Sequence, residues 1–325
     1  MENEKLLNLI NDYLSTITLG RTPPGLYEPI RYVLSIGGKR IRPMLMMLAY
    51  GMYKDDPESI LPQACGLETY HNYTLLHDDL MDNASMRRGH ATVHVKWNAN
   101  TAILSGDSML VTAYRLMHGG DMTDRRYSDA LNLFTETALE IGEGQQLDME
   151  FEHRDDVSEA EYMEMIRLKT AVLLACALKT GALLAGAPAA DAAALYAFGE
   201  KIGLAFQLQD DYLDVYGDAA VFGKNIGGDI LSNKKTYMLI SALNRSEGSV
   251  RRELDGWLRA ADYDPAEKIA AVTDIYSRLA VDRMAVDKID GLFSEGKRCL
   301  ESLSVSETRR RPLADYVDAM MHRNR

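Results

Sequence analysis

Leu75-Leu76-His77-Asp78-Asp79-Leu80-Met81-Asp82 and, far downstream, Phe206-Gln207-Leu208-Gln209-Asp210-Asp211-Tyr212-Leu213-Asp214 each set the pattern DDxxD inside an apolar, helix-compatible run. On a helix, residues one turn apart share a face, so Asp78 stacks over Asp82 and Asp210 over Asp214. Carboxylates held that close repel, and burying them costs several kcal/mol unless a cation neutralises them. Two facing clusters would form an all-oxygen site for a hard cation such as Mg²⁺. That ion usually takes one or two carboxylates and completes its shell with water and phosphate oxygens, so the implied ligand is a diphosphate. Two motifs so far apart in sequence, needing each other to build one site, argue for a single all-α domain spanning residues 1–325, its helices surrounding a central cavity.

Working outward from the motifs, helix-period patterns dominate and no convincing alternating strand appears. Leu6, Leu7, Ile10, Tyr13 and Leu14 form a stripe at helical spacing. Further helical runs cover about residues 41–53, 57–81, 93–117, 123–151, 158–184, 189–216, 231–244 and 276–300, with residues 89–92 reading as a loop. Abundant Met, Ala and Leu favour helix. Residues 171–190 are apolar except Lys179 and Thr180. A lysine near the middle of a membrane span costs ~3 kcal/mol, so a buried core helix is expected there rather than a span.

The 325-residue chain is 46% hydrophobic and 26% charged, the balance of a soluble protein with a real core. A net charge of −12 argues against nucleic acid as a partner. The cations that matter are therefore local exceptions. Three scattered cysteines (Cys65, Cys176, Cys299) in no metal-binding spacing suit a reducing cytoplasm, and the first ten residues do not read as a signal peptide.

Several basic groups stand near the acidic motifs. Gly37-Gly38-Lys39-Arg40-Ile41-Arg42-Pro43 puts three cations on a glycine-opened turn at a helix start, where backbone N–H groups and guanidinium favour an anion. Arg87-Arg88-Gly89 follows the first motif, and Lys169-Thr170, Lys224 and Lys234-Lys235-Thr236 complete the set. Lys169 lies in an apolar helix, where a lysine needs an anionic partner. The Gly223–Asp229 stretch lacks the spacing of an ATP-binding phosphate loop. His77-Asp78 could be the core of an HD-type phosphohydrolase, but that class needs upstream histidines and none precedes His71.

Taken in order, GGKRIRP (37–43), LLHDDLMDNASMRRG (75–89), GEGQQLDMEFE (142–152), LKT (168–170), FQLQDDYLDVYGD (206–218) and GKNIGGDILSNKKTY (223–237) resemble the trans-isoprenyl diphosphate synthases, which include the farnesyl and geranylgeranyl diphosphate synthases. The resemblance covers about residues 35–240. It implies the isoprenoid synthase fold, a homodimer, and head-to-tail condensation of isopentenyl diphosphate with an allylic diphosphate. By this resemblance Asp78, Asp82 and Asp210 hold Mg²⁺ on the leaving diphosphate, with Asp79, Asp211 and Asp214 orienting waters or completing the metal set. Arg87, Lys169, Lys224 and Lys234 add charge to the same group. Lys39, Arg42, His71 and Arg88 bind isopentenyl diphosphate in a metal-free site, and Thr170 and Gln207 turn oxygen dipoles toward the developing cation.

In this family the residues just ahead of the first motif form the floor of the hydrocarbon pocket. Tyr73, sharing a face with Tyr70 and Leu67, is expected to stop growth after a few isoprene units. The small Thr74 offers no second aromatic stop. A fifteen- or twenty-carbon product follows. A class I terpene cyclase or head-to-head condensing enzyme would share the first motif, and a non-catalytic subunit would share the fold. The second DDxxD with the Lys39, Arg42 and His71 set favours a working synthase, since non-catalytic subunits tend to have lost acidic motifs.

Overall fold

The structure, a computed structural model, describes residues 2–121, 123–217 and 226–322. The all-α expectation is met: 78% of the structure is helical. The only sheet among the described residues is a two-stranded hairpin pairing Met86–Arg87 with His90–Ala91. That hairpin stands where the sequence reads as a loop, because two residues per strand are too few to show an alternating pattern. Contacts group the chain into two compact units, each assembled from separated stretches. One comprises Met1–Thr135, Cys176–Leu195 and Ser304–Leu313, the other Glu136–Ala175, Tyr196–Leu303 and Ala314–Arg325.

The first unit contains α1 (Glu2–Thr16), α2 (Pro24–Ser35), α3 (Ile41–Gly51), α4 (Leu61–Met81), α5 (Val93–Lys96) and α6 (Ala99–Met117). α3 is apolar all round, and every residue from Pro43 to Tyr50 is buried. Each fully buried Met or Leu there contributes about 1.5–3 kcal/mol. α4 makes its most extensive contact with α6. The two run antiparallel, Gly66 against Ala113 and Leu116, and His77 against Gly106. A Cβ on Gly106 would stand 2.2 Å from His77 Nε2, so only glycine allows that approach. Asp191 ties distant stretches of this unit together: it accepts hydrogen bonds from Tyr53 Oη (2.8 Å), Ser304 Oγ (2.7 Å) and Ser304 N (3.1 Å).

α7 (Arg125–Glu152) leads into α8 (Glu159–Ile166), whose start is a reciprocal cap. Ser158 Oγ accepts from Glu161 N, and Glu161 Oε2 accepts from Ser158 N. One π-turn, Arg167–Ala171, joins α8 to α9 (Val172–Ala185), and α10 (Ala189–Tyr216) carries the second acidic motif. Arg167 anchors the π-turn through Glu164 (2.8 Å) and Glu200 (3.0 Å). The continuous stretch Glu159–Ala185 is long and apolar enough to cross a membrane, but 78% of its apolar window is buried inside the protein, as a core helix would be.

Candidate active site

In the first unit, Asp78, Asp79 and Asp82 occupy the last turn of α4, with Asp82 as its C-cap. The next-door hairpin delivers Arg87 to Asp79. Its Nε lies 2.8 Å from both carboxylate oxygens, and one terminal nitrogen reaches Oδ1 at 2.7 Å and Asp78 Oδ2 at 3.7 Å. Asp79 is buried, and burial raises its pKa despite the guanidinium that lowers it. Asp79 is thus held by a cation of the protein itself. Asp78, half-buried, and Asp82, exposed, share the other helix face.

Two turns earlier on α4, His71 lies among arginines. Its pKa is held well below the usual imidazole range, first by burial and then by Arg42, Arg88, Arg87 and Arg40. It is therefore a neutral imidazole. Burial, with a smaller push from Arg88, lowers Arg42 to about 10 against the opposing charge of Glu68, so Arg42 stays charged at neutral pH. Its Nε is buried with no hydrogen-bond acceptor. A donor left so costs about 1–3 kcal/mol, which an incoming oxyanion would relieve. Arg88 donates to Gly37 O and lies over Gly38, whose φ of 147° and missing Cβ make room for it. Lys39 sits exposed on the same turn.

Arg40 was not singled out in the sequence as a binding group, and the structure gives it another task. It turns inward, pairs with buried Glu68 at 2.9 Å, and donates to Asn11 Oδ1 and Leu34 O. Three cations in one turn do not reveal which one faces the core.

Along α4 toward its start, Tyr73 sits between His77 (ring centroids 4.8 Å apart) and Tyr70 (5.5 Å). Tyr70 in turn meets Phe134 edge-on at 5.1 Å, and Phe134 meets Tyr114 at 4.9 Å. Thr74, beside Tyr73, bonds back to His71 O. The sequence reading found Tyr73 and Tyr70; Phe134 and Tyr114 come from other helices and had no local signal.

In the second unit, Lys169 stands on the π-turn and pairs with Asp148 of α7 at 2.6 Å, supplying the anionic partner its apolar surroundings demand. The approach is close: a Cβ on Gly144 would lie 2.3 Å from Lys169 N. Thr170 Oγ1 donates to Gln207 Oε1 (3.2 Å), Gln207 Nε2 donates to Asp211 Oδ1 (3.2 Å), and Tyr162 donates its hydroxyl to the other oxygen of Asp211. Burial foremost, and the charge of Asp229, push Asp211 up to about 7 against those two donors and Lys234. Asp214 accepts from Asp229 N at 2.9 Å. Asp210 shares their helix, one turn before Asp214. Lys224 lies outside the described residues. Tyr162 and Asp148 are partners to which the sequence reading gave no role: Tyr162 stands outside the quoted motifs, and Asp148, though inside GEGQQLDMEFE (142–152), is one of several acids there with nothing local to single it out.

Among the described residues no three His, Cys, Asp or Glu side chains gather as a metal site. The donor chemistry nonetheless fits a hard cation of magnesium type, which needs only one or two carboxylates beside water and phosphate oxygens.

The polyprenyl synthetase family profile matches residues 23–276. The geranylgeranyl diphosphate synthase of Methanosarcina mazei is 38% identical over 91% of this chain and 90% of its own length. A crystal structure of a geranylgeranyl pyrophosphate synthase superposes with a TM-score of 0.94 at 39% identity, covering 99% of both chains. A polyprenyl synthase from Caulobacter crescentus, crystallised with calcium and isoprenyl diphosphate, matches with a TM-score of 0.83 at 27% identity, over 100% of this chain and 95% of that one. With its acidic motifs and basic groups set on these helices, the chain belongs to the polyprenyl synthetase family, as a short-chain trans-isoprenyl diphosphate synthase.

Proposed function

We propose that this protein joins isopentenyl diphosphate to an allylic diphosphate and stops at fifteen or twenty carbons, giving farnesyl or geranylgeranyl diphosphate. The allylic C–O bond breaks with its electron pair leaving on pyrophosphate. The isopentenyl double bond then forms the new C–C bond, and a proton is lost to the departing pyrophosphate. Magnesium, when bound, supplies charge neutralisation on the leaving diphosphate. Asp78 and Asp82 from one motif and Asp210 from the other would hold it, with Asp214 contributing from the same helix.

The protein's own groups divide the remaining work. Arg87 keeps Asp79 ionised and placed, and lends its outer nitrogen to the leaving group. Lys169, steered by Asp148, and Lys234 add charge to that group, as does Lys224 by the resemblance. The Thr170–Gln207–Asp211–Tyr162 chain fixes two side-chain oxygens where positive charge would develop. Arg42, Arg88, Lys39 and neutral His71 would bind isopentenyl diphosphate. Tyr73, backed by Tyr70, would end the hydrocarbon pocket.

One observation carries this reading: the acceptorless Arg42 Nε beside neutral His71 lies against the same helix, α4, that ends in the Asp78 and Asp82 pair. An anion subsite and a cation-binding pair thus share one rigid element. Incubation with labelled isopentenyl diphosphate, each allylic starter and magnesium chloride tests it. Fifteen- or twenty-carbon products after dephosphorylation are expected; no condensation with any starter would overturn it.

We also infer a homodimer in the cytoplasm. α6 exposes Leu104 (59%) and Val111 (69%) seven residues apart on one face, an apolar stripe suited to a second copy. Cys65, Cys176 and Cys299 form no disulfide with one another, which suits a reducing compartment.

A further inference from the structure

Lys268 is 1% exposed in the Pro265–Arg278 helix of the second unit. Its described partners are uncharged. Nζ lies 2.8 Å from Asn233 Oδ1 and 3.5 Å from Leu231 O, and 4.4 Å from the centre of the Tyr263 ring. A buried ammonium without a carboxylate is costly, and a packed apolar residue would be the cheaper choice for stability alone. What it holds is a particular turn. Asn233 has φ 54°, a left-handed conformation that asparagine tolerates better than most residues, and its amide also donates to Leu258 O at 3.0 Å. Tyr263 donates to Leu231 O as well.

The held segment runs between two parts of the catalytic machinery. At its start Asp214 accepts from Asp229 N, and Gly227 N donates to Asp214 O at 2.7 Å. At its end Lys234 N returns to Asp229 O at 2.9 Å, so the turn at Asn233 sets where Lys234 leaves the backbone. Lys234 lies close enough to Asp211 to act on its charge. The same helix braces the other end, because Gly227 (φ 85°) has Ile269 2.5 Å from where its Cβ would stand. Adjacent residues, Lys268 and Ile269, therefore support both ends of the Gly228–Leu231 helix.

We propose that Lys268 is a positioning residue for the allylic diphosphate site: through Asn233 it fixes the turn that sets Lys234 against the second acidic motif. It acts without touching substrate. The inference rests on the condensation proposed above. A displacement of about 1 Å at such a group can cost up to about a hundredfold, so a measurable kinetic effect is expected from a residue outside the site.

The test uses the full chain carrying Lys268→Met, Asn233→Gly and Asn233→Asp. Asn233→Gly keeps the left-handed turn and removes both the acceptor for Lys268 and the donor to Leu258 O; Asn233→Asp keeps the turn and the acceptor and loses only the donor to Leu258 O. Lys268→Met and Asn233→Gly should each raise KM for the allylic diphosphate about tenfold, with KM for isopentenyl diphosphate within about twofold. Both should also shrink the rise in melting temperature produced by inorganic pyrophosphate with magnesium chloride, while Asn233→Asp, which keeps the Lys268 contact, should retain more of that rise than Asn233→Gly. If Lys268→Met does not fold, Asn233→Gly carries the test. Wild-type allylic KM and pyrophosphate response in Asn233→Gly, or equal increases in both KM values, would overturn the proposal. A wild-type protein that condenses nothing would instead overturn the condensation reading, and the pyrophosphate response would still judge the turn.

Discussion

Arg87 serves two masters, and the two can be separated. It neutralises buried Asp79 with paired hydrogen bonds, and it reaches toward Asp78 with a nitrogen to spare. Arg87→Ala leaves a buried carboxylate unpaired and should lower unfolding free energy by about 2 kcal/mol, read from urea denaturation. Adding Asp79→Asn removes the stranded charge and should recover most of that loss. KM for the allylic diphosphate should stay raised in the double variant, because the charge offered to the leaving group is still gone. A double variant with normal KM would confine Arg87 to a structural role. His71 makes a pH prediction. Its folded pKa lies well below its unfolded value, so below about pH 6.5 the unfolded chain binds a proton that the folded chain refuses. Stability is full above that pH and falls as pH drops toward the folded value. His71→Gln should flatten the dependence of melting temperature on pH between about 6.5 and 5, and an unchanged slope would mean that His71 is not the group responsible.

At the scale of elements, the proposed length control belongs to α4. Tyr73→Ala should shift products toward longer prenyl chains, seen by chromatography after dephosphorylation. Tyr70 remains behind it, held edge-on by Phe134, so growth should stop again. Tyr73→Ala with Phe134→Leu should release that second stop; an identical product pattern in single and double variants would remove Phe134 from the barrier. Much of α4 was legible in the sequence because a long helix-compatible run, buried on all sides over residues 63–70, ends in acids at helical spacing. α3, α7 and α10 were legible as long runs of helix-favouring residues. Elsewhere pattern alone misled. The run expected over 93–117 breaks at Trp97–Asn98, where Asn98 caps α6 by accepting from Thr101 N. The run expected over 276–300 is two helices parted by Ala280 in a left-handed turn, which no glycine announces. α2 was not among the expected runs; it carries Pro29 buried inside the helix. The π-turn at Arg167–Ala171 is invisible to a 3.6-residue period, though it carries Lys169 and Thr170. The aspartates, Arg87 and Gln207 were readable as residues; that Arg87 pairs with Asp79, and that Gln207 and Tyr162 hold Asp211, follows from three-dimensional proximity. A motif names the reactive group and leaves unsaid what restrains it.

For the whole molecule, the exposed face of α6 bears on assembly. Leu104→Asp with Val111→Asp puts two charges on the proposed dimer contact and should halve the mass seen by light scattering at micromolar concentration. Both positions are exposed in the isolated chain, so its melting temperature should change little apart from the loss of pairing. A variant that keeps the wild-type mass would place the contact elsewhere. The composition anticipated a real core, and the structure supplies one, but the sequence offered no break to mark two interleaved units. Each unit draws on three separated stretches, and no linker composition betrays such a division.

That interleaving has a consequence for how the protein is made. Asp191 waits for Ser304, 113 positions downstream, and the first unit is finished only by residues Ser304–Leu313. During translation the amino-terminal helices emerge early, but the last strut of their own unit is still unread or inside the ribosome. The first unit therefore cannot consolidate until most of the second, which lies between its parts in sequence, has also been made.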